Sequence, residues 1–456
     1  MDARHNFAFF GRRIALMDAN QEIGVPGVPD KEKPKMSTAN VIENSVLAIQ
    51  GGPKAKPGPY GTGARFGEEE KKQLAEALEQ QTLFYASGKK TREFREEFAT
   101  RYGIRHCVTC TSGTAALHVA LGACAIKPGD QVITASITDM GTCLAILLCG
   151  AVPVFADLDP ATYTLAPASV EKLIGPKTAA IIPVHLTGAP CDLDALSGLA
   201  RQHDLWLIED CAQSYLTEYK RRLCGTIGDM GCFSLNDFKH ISTGDGGMVV
   251  TQDAELARRA ELFADKCYDR SPNSARNPFF IAPNYRISEL QSAVALAQLG
   301  KLNSIVERRR RYGDGLHAGL RGLPGLQPQG FVAGARPSYW FYMFRMESQV
   351  LGPRQQFVEA LQAEGLNASA GYVDRATYLY DVFAKKQGFA GTDFPFSLAP
   401  EIEYKPGLCP NAEAIVADCV RLSVSEFFTA ADLAQTLAGV RKVVEYFAAH
   451  QAQKGT

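Results

Sequence analysis

The stretch His106-Cys107-Val108-Thr109-Cys110-Thr111-Ser112-Gly113-Thr114-Ala115-Ala116-Leu117 reads as a short apolar strand, a tight glycine turn and the opening of a helix. The same unit recurs along the chain. Apolar runs at 107–111, 131–134, 153–156, 179–184, 205–209, 231–234 and 248–251 predict strands. Helical periods at 114–123, 140–149, 168–174 and 193–203 lie between them, after helices at 68–81 and 90–102. Strands that are apolar throughout need cover on both faces, and strands alternating with helices need crossovers. The expected fold class is therefore α/β, a three-layer sandwich around a mainly parallel seven-stranded sheet. A long helix at 287–311 leads away from it, into a smaller α+β part with a strand at 339–346 and helices at 354–364 and 430–449. The expected division is a partly flexible extension over 1–50, a large domain over 51–310 and a small C-terminal domain over 311–456. The last residues, 451–456, are expected to fray.

Residues 1 to about 45 show no sustained period, with Gly24, Pro26, Gly27 and Pro29 close together. Two readings stand side by side: a start at Met36, or an arm that packs on a second subunit. A net charge of −1 over 456 residues gives no attraction to nucleic acid or an anionic membrane surface. The run Arg308-Arg309-Arg310-Arg311 is a local exception, read as a solvated or interface-lining helix face. No apolar stretch is long enough to span a membrane and no secretory signal is visible, so a cytoplasmic protein is expected. Cys107 and Cys110 have no second pair at zinc-site spacing, and the 12 cysteines are read as small buried hydrophobes.

Four segments carry candidate chemistry. Ser112-Gly113-Thr114 follows a strand and opens a helix, whose free N–H groups can face a phosphate; an ordinary capped turn has the same look. In Ile208-Glu209-Asp210-Cys211-Ala212-Gln213 a carboxylate ends an apolar strand. There it can pair with a protonated pyridine nitrogen, or merely cap a helix. Lys239 follows Ser234-Leu235-Asn236-Asp237-Phe238 and precedes the Gly244-Asp245-Gly246-Gly247 turn. It is a candidate Schiff-base lysine, which needs a lowered pKa, against the alternative of a solvated surface lysine. Asn284-Tyr285-Arg286-Ile287-Ser288-Glu289 opens the long helix and alone looks like a capping sequence.

In this order the segments resemble the DegT/DnrJ/EryC1/StrS family of sugar aminotransferases, pyridoxal 5'-phosphate (PLP) enzymes of fold type I. The resemblance runs from about Gly51 to Phe447 and includes Pro183-Val184-His185 and Gly231-Cys232-Phe233. It implies PLP as cofactor and Lys239 as the lysine that carries it. It implies that Asp210 pairs with the pyridine nitrogen and that Gln213 contacts the phenolic oxygen. Ser112, Gly113, Thr114 and Ser234 would hold the phosphate. Asn284 would reach the phosphate of the other subunit, which implies a homodimer with shared active sites. Glutamate or glutamine would donate the amino group to a keto-sugar or keto-cyclitol, in amino-sugar or aminocyclitol biosynthesis. A non-catalytic regulator on the same fold is argued against by the complete residue set.

Two positions depart from the family's pattern. Asp139 stands where many members offer an aromatic ring to the cofactor's face. Either another residue covers the ring, or Asp139, kept among the cofactor-site residues, contacts substrate or a donor amine. His240 follows Lys239, and members that act as sugar dehydratases carry histidine in place of the lysine. Lys239 argues against that activity, with the register of the two residues left for the structure.

Overall fold

The computed structural model describes residues 46–275 and 277–454. The flexible stretch expected before residue 46, and with it the choice at Met36, lies outside the described residues. Chain order begins with α1 (Glu68–Glu79) and α2 (Lys90–Tyr102), then β1 (His106–Cys110) and α3 (Gly113–Ala123). It continues through β2 (Gln131–Ala135), α4 (Met140–Leu148), β3 (Val152–Ala156), α5 (Pro167–Leu173), β4 (Thr178–Ile182) and α6 (Leu193–Gln202). Next come β5 (Trp206–Asp210), the short pair β6 (Glu218–Tyr219) and β7 (Arg222–Leu223), then β8 (Met230–Ser234), β9 (Gly247–Thr251) and α7 (Ala254–Ala264). Each predicted strand of the large sheet is present, with ends moved by no more than two residues.

The seven strands lie in the order β1-β9-β8-β5-β4-β2-β3. All neighbours are parallel except β9, which runs against both β1 and β8. The core shows why the strands are apolar on both faces. Val132, Ala180, Ile182, Ile208, Cys232 and Val249 pack with α3, α4 and α7 on one side. Their immediate neighbours Ile133, Ile181 and Leu207 face the cluster that holds α5 and α6. Phe233, Met248 and Val250 face the one that holds α2. Side chains alternate in a strand, so two buried faces require this unbroken apolarity. Eleven of the 12 cysteines are buried, Cys149 less so, and all are unpaired thiols, as their scatter suggested.

Helix α8 (Glu289–Leu320) runs on past the expected end at 311. Its late glycines do not break it. Tyr339 lies against Gly313 and Leu433 against Gly315, where a Cβ would sit 2.3 Å from each side chain. The remainder builds a four-stranded sheet from β10 (Leu326–Pro328), β12 (Phe341–Met346), β13 (Ala368–Ser369) and β14 (Cys419–Ser423), while β11 (Ala335–Arg336) joins β6 and β7. Helices α9 (Arg354–Ala363), α10 (Pro410–Asp418) and α11 (Ala430–Lys454) complete it. The fraying expected from 451 is not seen before Lys454. Leu47, within the expected extension, is already buried against this second core.

Of the two readings of Arg308–Arg311, a solvated or an interface-lining face, the solvated one fails at two of the four residues. Arg308 and Arg311 are exposed, but Arg309 and Arg310 are buried. Arg309 pairs with buried Glu426 at 2.7 Å and donates to the carbonyls of Trp340 and Val424. Arg310 donates to Glu307 and to the carbonyls of Pro337 and Leu216. Arg309→Met would leave Glu426 buried with a weaker partner. It is expected to destabilise the fold by about 3 kcal/mol in denaturant titration.

Candidate active site

The carboxyl ends of β1, β2, β5 and β8 lie on one edge of the sheet, where parallel sheets place their ligands. The segments that leave them meet in one cleft. Its lining includes Ser112, Gly113, Thr114, Asp139, Thr142, Asp210, Gln213, Ser234, Asn236 and Lys239. Eight of the predicted residues are thus brought together. Asn284, the ninth, is not. It is exposed and forms a backbone bridge with Asp265 ahead of α8, outside the lining of this cleft.

The turn before α3 is built for close approach. Ser112 caps the helix by accepting from the Ala115 N–H at 3.0 Å. A Cβ on Gly113 would meet Ser234 Cβ at 2.7 Å, so only glycine keeps the gap between turn and β8 open. The N–H groups at the start of α3 and the hydroxyls of Thr114 and Ser234 surround that gap, a donor set suited to a phosphate.

Asp210 ends β5 with its carboxylate fully enclosed. Thr142 Oγ1 donates to Oδ2 at 2.8 Å and the Ala212 N–H to Oδ1 at 3.1 Å. Burial pushes its pKa up, while these two donors and the Lys239 charge pull it back. A cation brought beside it would hold it ionised. Glu209, its neighbour, points to the other side of the strand. It accepts from His185 Nε2 at 3.0 Å and from the N–H groups of Gly225, Ile227 and Gly228. Burial opposes its charge, but the His185 bond and these amides hold its pKa below the usual range. His185 is thus a satisfied core histidine, with Nδ1 accepting from the Cys191 N–H. Gln213 is buried; its Oε1 accepts from the Thr187 N–H at 2.9 Å and its Nε2 reaches Tyr372 at 3.5 Å.

Lys239 sits in the loop between β8 and β9. The loop returns tightly because Gly244 takes a positive φ of 81°. The lysine is 9% exposed, which excludes the solvated reading. Burial lowers its pKa to about 8 against the pull of Asp210 and Asp139. The register question is answered by His240, which is wholly buried, bonds the Ser338 carbonyl through Nε2 and does not line the cleft.

Asp139 is exposed at the cleft and caps α4, accepting from the Gly141 N–H at 2.8 Å. Four further contributors went unassigned in the sequence. Thr142 holds Asp210, one helical turn after Asp139. Arg65 donates to the carbonyls of Asp237 and Lys239. Trp340 lies with its ring centroid 3.8 Å from Lys239 Nζ, and Tyr372 packs edge-on against Trp340. The last three lie far away in the chain. Of these only Arg65 lies in a marked segment, the glycine-rich run Tyr60-Gly61-Thr62-Gly63-Ala64-Arg65.

The cleft fits PLP in both its charges. A small, donor-rich gap at the start of α3 suits the phosphate, and the buried Asp210 suits a cationic ring nitrogen. Comparison with known proteins agrees with the fold and the chemistry. The model of the DegT/DnrJ/EryC1/StrS aminotransferase family matches residues 65–441. The spore coat polysaccharide biosynthesis protein SpsC of Bacillus subtilis is 33% identical over 340 residues, covering 72% of this chain and 86% of that protein. L-glutamine:2-deoxy-scyllo-inosose aminotransferase of Micromonospora echinospora is 38% identical over 319 residues, covering 66% and 76%. The crystal structure of DesV from S. venezuelae, in complex with a ketimine intermediate, superposes with a TM-score of 0.73 at 30% identity, covering 83% and 94%. The expected α/β architecture of fold type I PLP transferases is met. The chain belongs to the DegT/DnrJ/EryC1/StrS aminotransferase family.

Proposed function

We propose that this aminotransferase binds PLP in the cleft through Lys239 and passes an amino group from glutamine or glutamate to a keto-cyclitol or keto-sugar. The observation that carries the reading is the meeting, in one cleft, of a buried amine, a buried carboxylate on a strand tip and a glycine-opened helix N-terminus. The large and small domains divide near residue 310, and the protein works as a homodimer in which Asn284 serves the partner's cleft, which explains its place outside this one. Among the described residues no helix is long and apolar enough to cross a membrane; we place the enzyme in the cytoplasm.

When bound, PLP supplies an electron sink for the charge that develops at the donor's Cα. The protein supplies the rest. Asp210, held by Thr142 and Ala212, would pair with the ring nitrogen and keep it cationic. Gln213 would contact the phenolic oxygen, Asp139 lines the cleft, and Ser112, Gly113, Thr114 and Ser234 would hold the phosphate. Lys239 Nζ, once released, takes the proton from the donor's Cα, and a buried amine with a pKa of about 8 is suited to do so near neutral pH. The acceptor class is supported by the relative that is an L-glutamine:2-deoxy-scyllo-inosose aminotransferase.

Two expectations test the cofactor site. Only the neutral amine attacks an aldehyde, so the rate of PLP capture by the cofactor-free protein rises with pH. It should level off above about pH 8 instead of climbing through the 10.5 of a solvated lysine. Gly113→Val pushes a branched side chain into Ser234 and is expected to weaken PLP binding at least about tenfold, a loss of ~1.4 kcal/mol, in equilibrium titration. The substrate reading is tested by a panel. Enzyme loaded with PLP is treated with glutamine or glutamate, then offered inososes and nucleotide keto-sugars. A spectrum that shifts with the donor and returns with one of these ketones supports the reading; a spectrum indifferent to both donors would sink it.

A further inference from the structure

We propose that Trp340 is a positioning residue for the free amine of Lys239: whenever the lysine is not bonded to the cofactor, its ammonium rests on the indole face. The inference rests on the reading of Lys239 as the cofactor lysine. The indole serves the lysine loop twice. Its Nε1–H donates to the Phe238 carbonyl at 2.7 Å, and its ring centroid lies 3.8 Å from Lys239 Nζ. The carbonyls on either side, of Asp237 and Lys239, accept from Arg65. Three consecutive carbonyls of the loop are therefore held by two side chains from distant segments, and one of these also receives the amine.

Trp340 is itself fixed. Its backbone N–H donates to the Thr187 carbonyl at 2.8 Å, its carbonyl accepts from Arg309 at 3.2 Å, and Tyr372 stands edge-on at 5.7 Å. A cation over an indole face is attracted by the ring quadrupole, most strongly where water is excluded. The arrangement offsets burial, which favours the neutral amine, and among the described residues no carboxylate forms an ion pair with the lysine. The charged and titratable groups around the amine are Asp210 at the tip of β5, Asp139 ahead of α4, His240 next in the chain, and Arg65 on the loop's carbonyls. The two aspartates favour the ammonium. His240 is held neutral by burial and by the nearby Arg309.

The test uses the full chain without cofactor. The protein has two tryptophans, so Trp206→Phe leaves Trp340 as the sole indole emitter. Trp340 emission is expected to follow a titration centred near pH 8, and Lys239→Met is expected to abolish it. Independently, the pH–rate midpoint for acylation of Lys239 should fall by about one pH unit in Trp340→Leu. Trp340→Phe, which keeps a weaker π-face, should recover part of that shift. A merely structural tryptophan would give the same midpoint in all three proteins. Emission indifferent to Lys239→Met, or a midpoint unchanged in a folded Trp340→Leu, overturns the proposal. Either result leaves the site reading intact as long as borohydride still fixes PLP on Lys239 in the wild type; loss of that fixation would instead sink the site reading.

Discussion

Lys239→Ala is expected to lower transamination by roughly 10^4-fold. On the proposed reading the variant would lose the covalent tether for the cofactor and the base that takes the Cα proton. The fold should survive. The loop is held by its backbone, through Arg65 on two carbonyls and Trp340 on a third, and the lysine side chain anchors none of the core clusters. PLP should still enter, because the phosphate gap and Asp210 are untouched, but borohydride should fix none of it. Circular dichroism, cofactor titration and turnover separate the three effects. A variant that binds no PLP at all would mean that the lysine builds the site as well as serving it.

Asp210→Asn is expected to cost about 10^2 to 10^3 in turnover with a small effect on stability. Asparagine has nearly the same shape, and its Oδ1 can still accept from the Ala212 N–H or the Thr142 hydroxyl. What it removes is the charge. Burial already pushes the Asp210 carboxyl toward its neutral form, and on the proposed reading the ring cation would join Thr142, Ala212 and Lys239 in holding it ionised. Without that charge the ring nitrogen loses its proton more readily, and the electron sink weakens at the step where charge develops. The expected signature is a slowed half-reaction with glutamine or glutamate and little change in PLP affinity. Asp210→Ala is different in kind, since it strips Thr142 and Ala212 of their acceptor and should also destabilise the protein by about 1–3 kcal/mol.

Much of this was legible from residues because the large sheet obeys local rules. Each strand is buried on both faces, so apolar runs mark it, and the candidate site residues sit at the strand ends where the pattern breaks: Ser112 to Thr114, Asp210, Ser234. What stayed illegible depends on contacts far apart in sequence. Arg309 and Arg310 look like part of a solvated run until Glu426 and the Leu216 and Pro337 carbonyls are brought to them. Gly313 and Gly315 look like a helix end until Tyr339 and Leu433 fill the space they leave. Trp340 reads as one more aromatic beside a strand, and nothing local couples it to a lysine 101 positions away. Asp139 is a case in between. Its lack of a ring is visible in the sequence, and the structure adds that it caps α4.

The claim on which the account turns is that Lys239 is the lysine that carries PLP. The direct measurement is borohydride reduction of the PLP-loaded enzyme followed by proteolysis and mass mapping. The account predicts one pyridoxyl group per chain, on the peptide that holds Asn236-Asp237-Phe238-Lys239-His240. A pyridoxyl group on any other lysine, or none on a protein that binds PLP and transaminates, would contradict it.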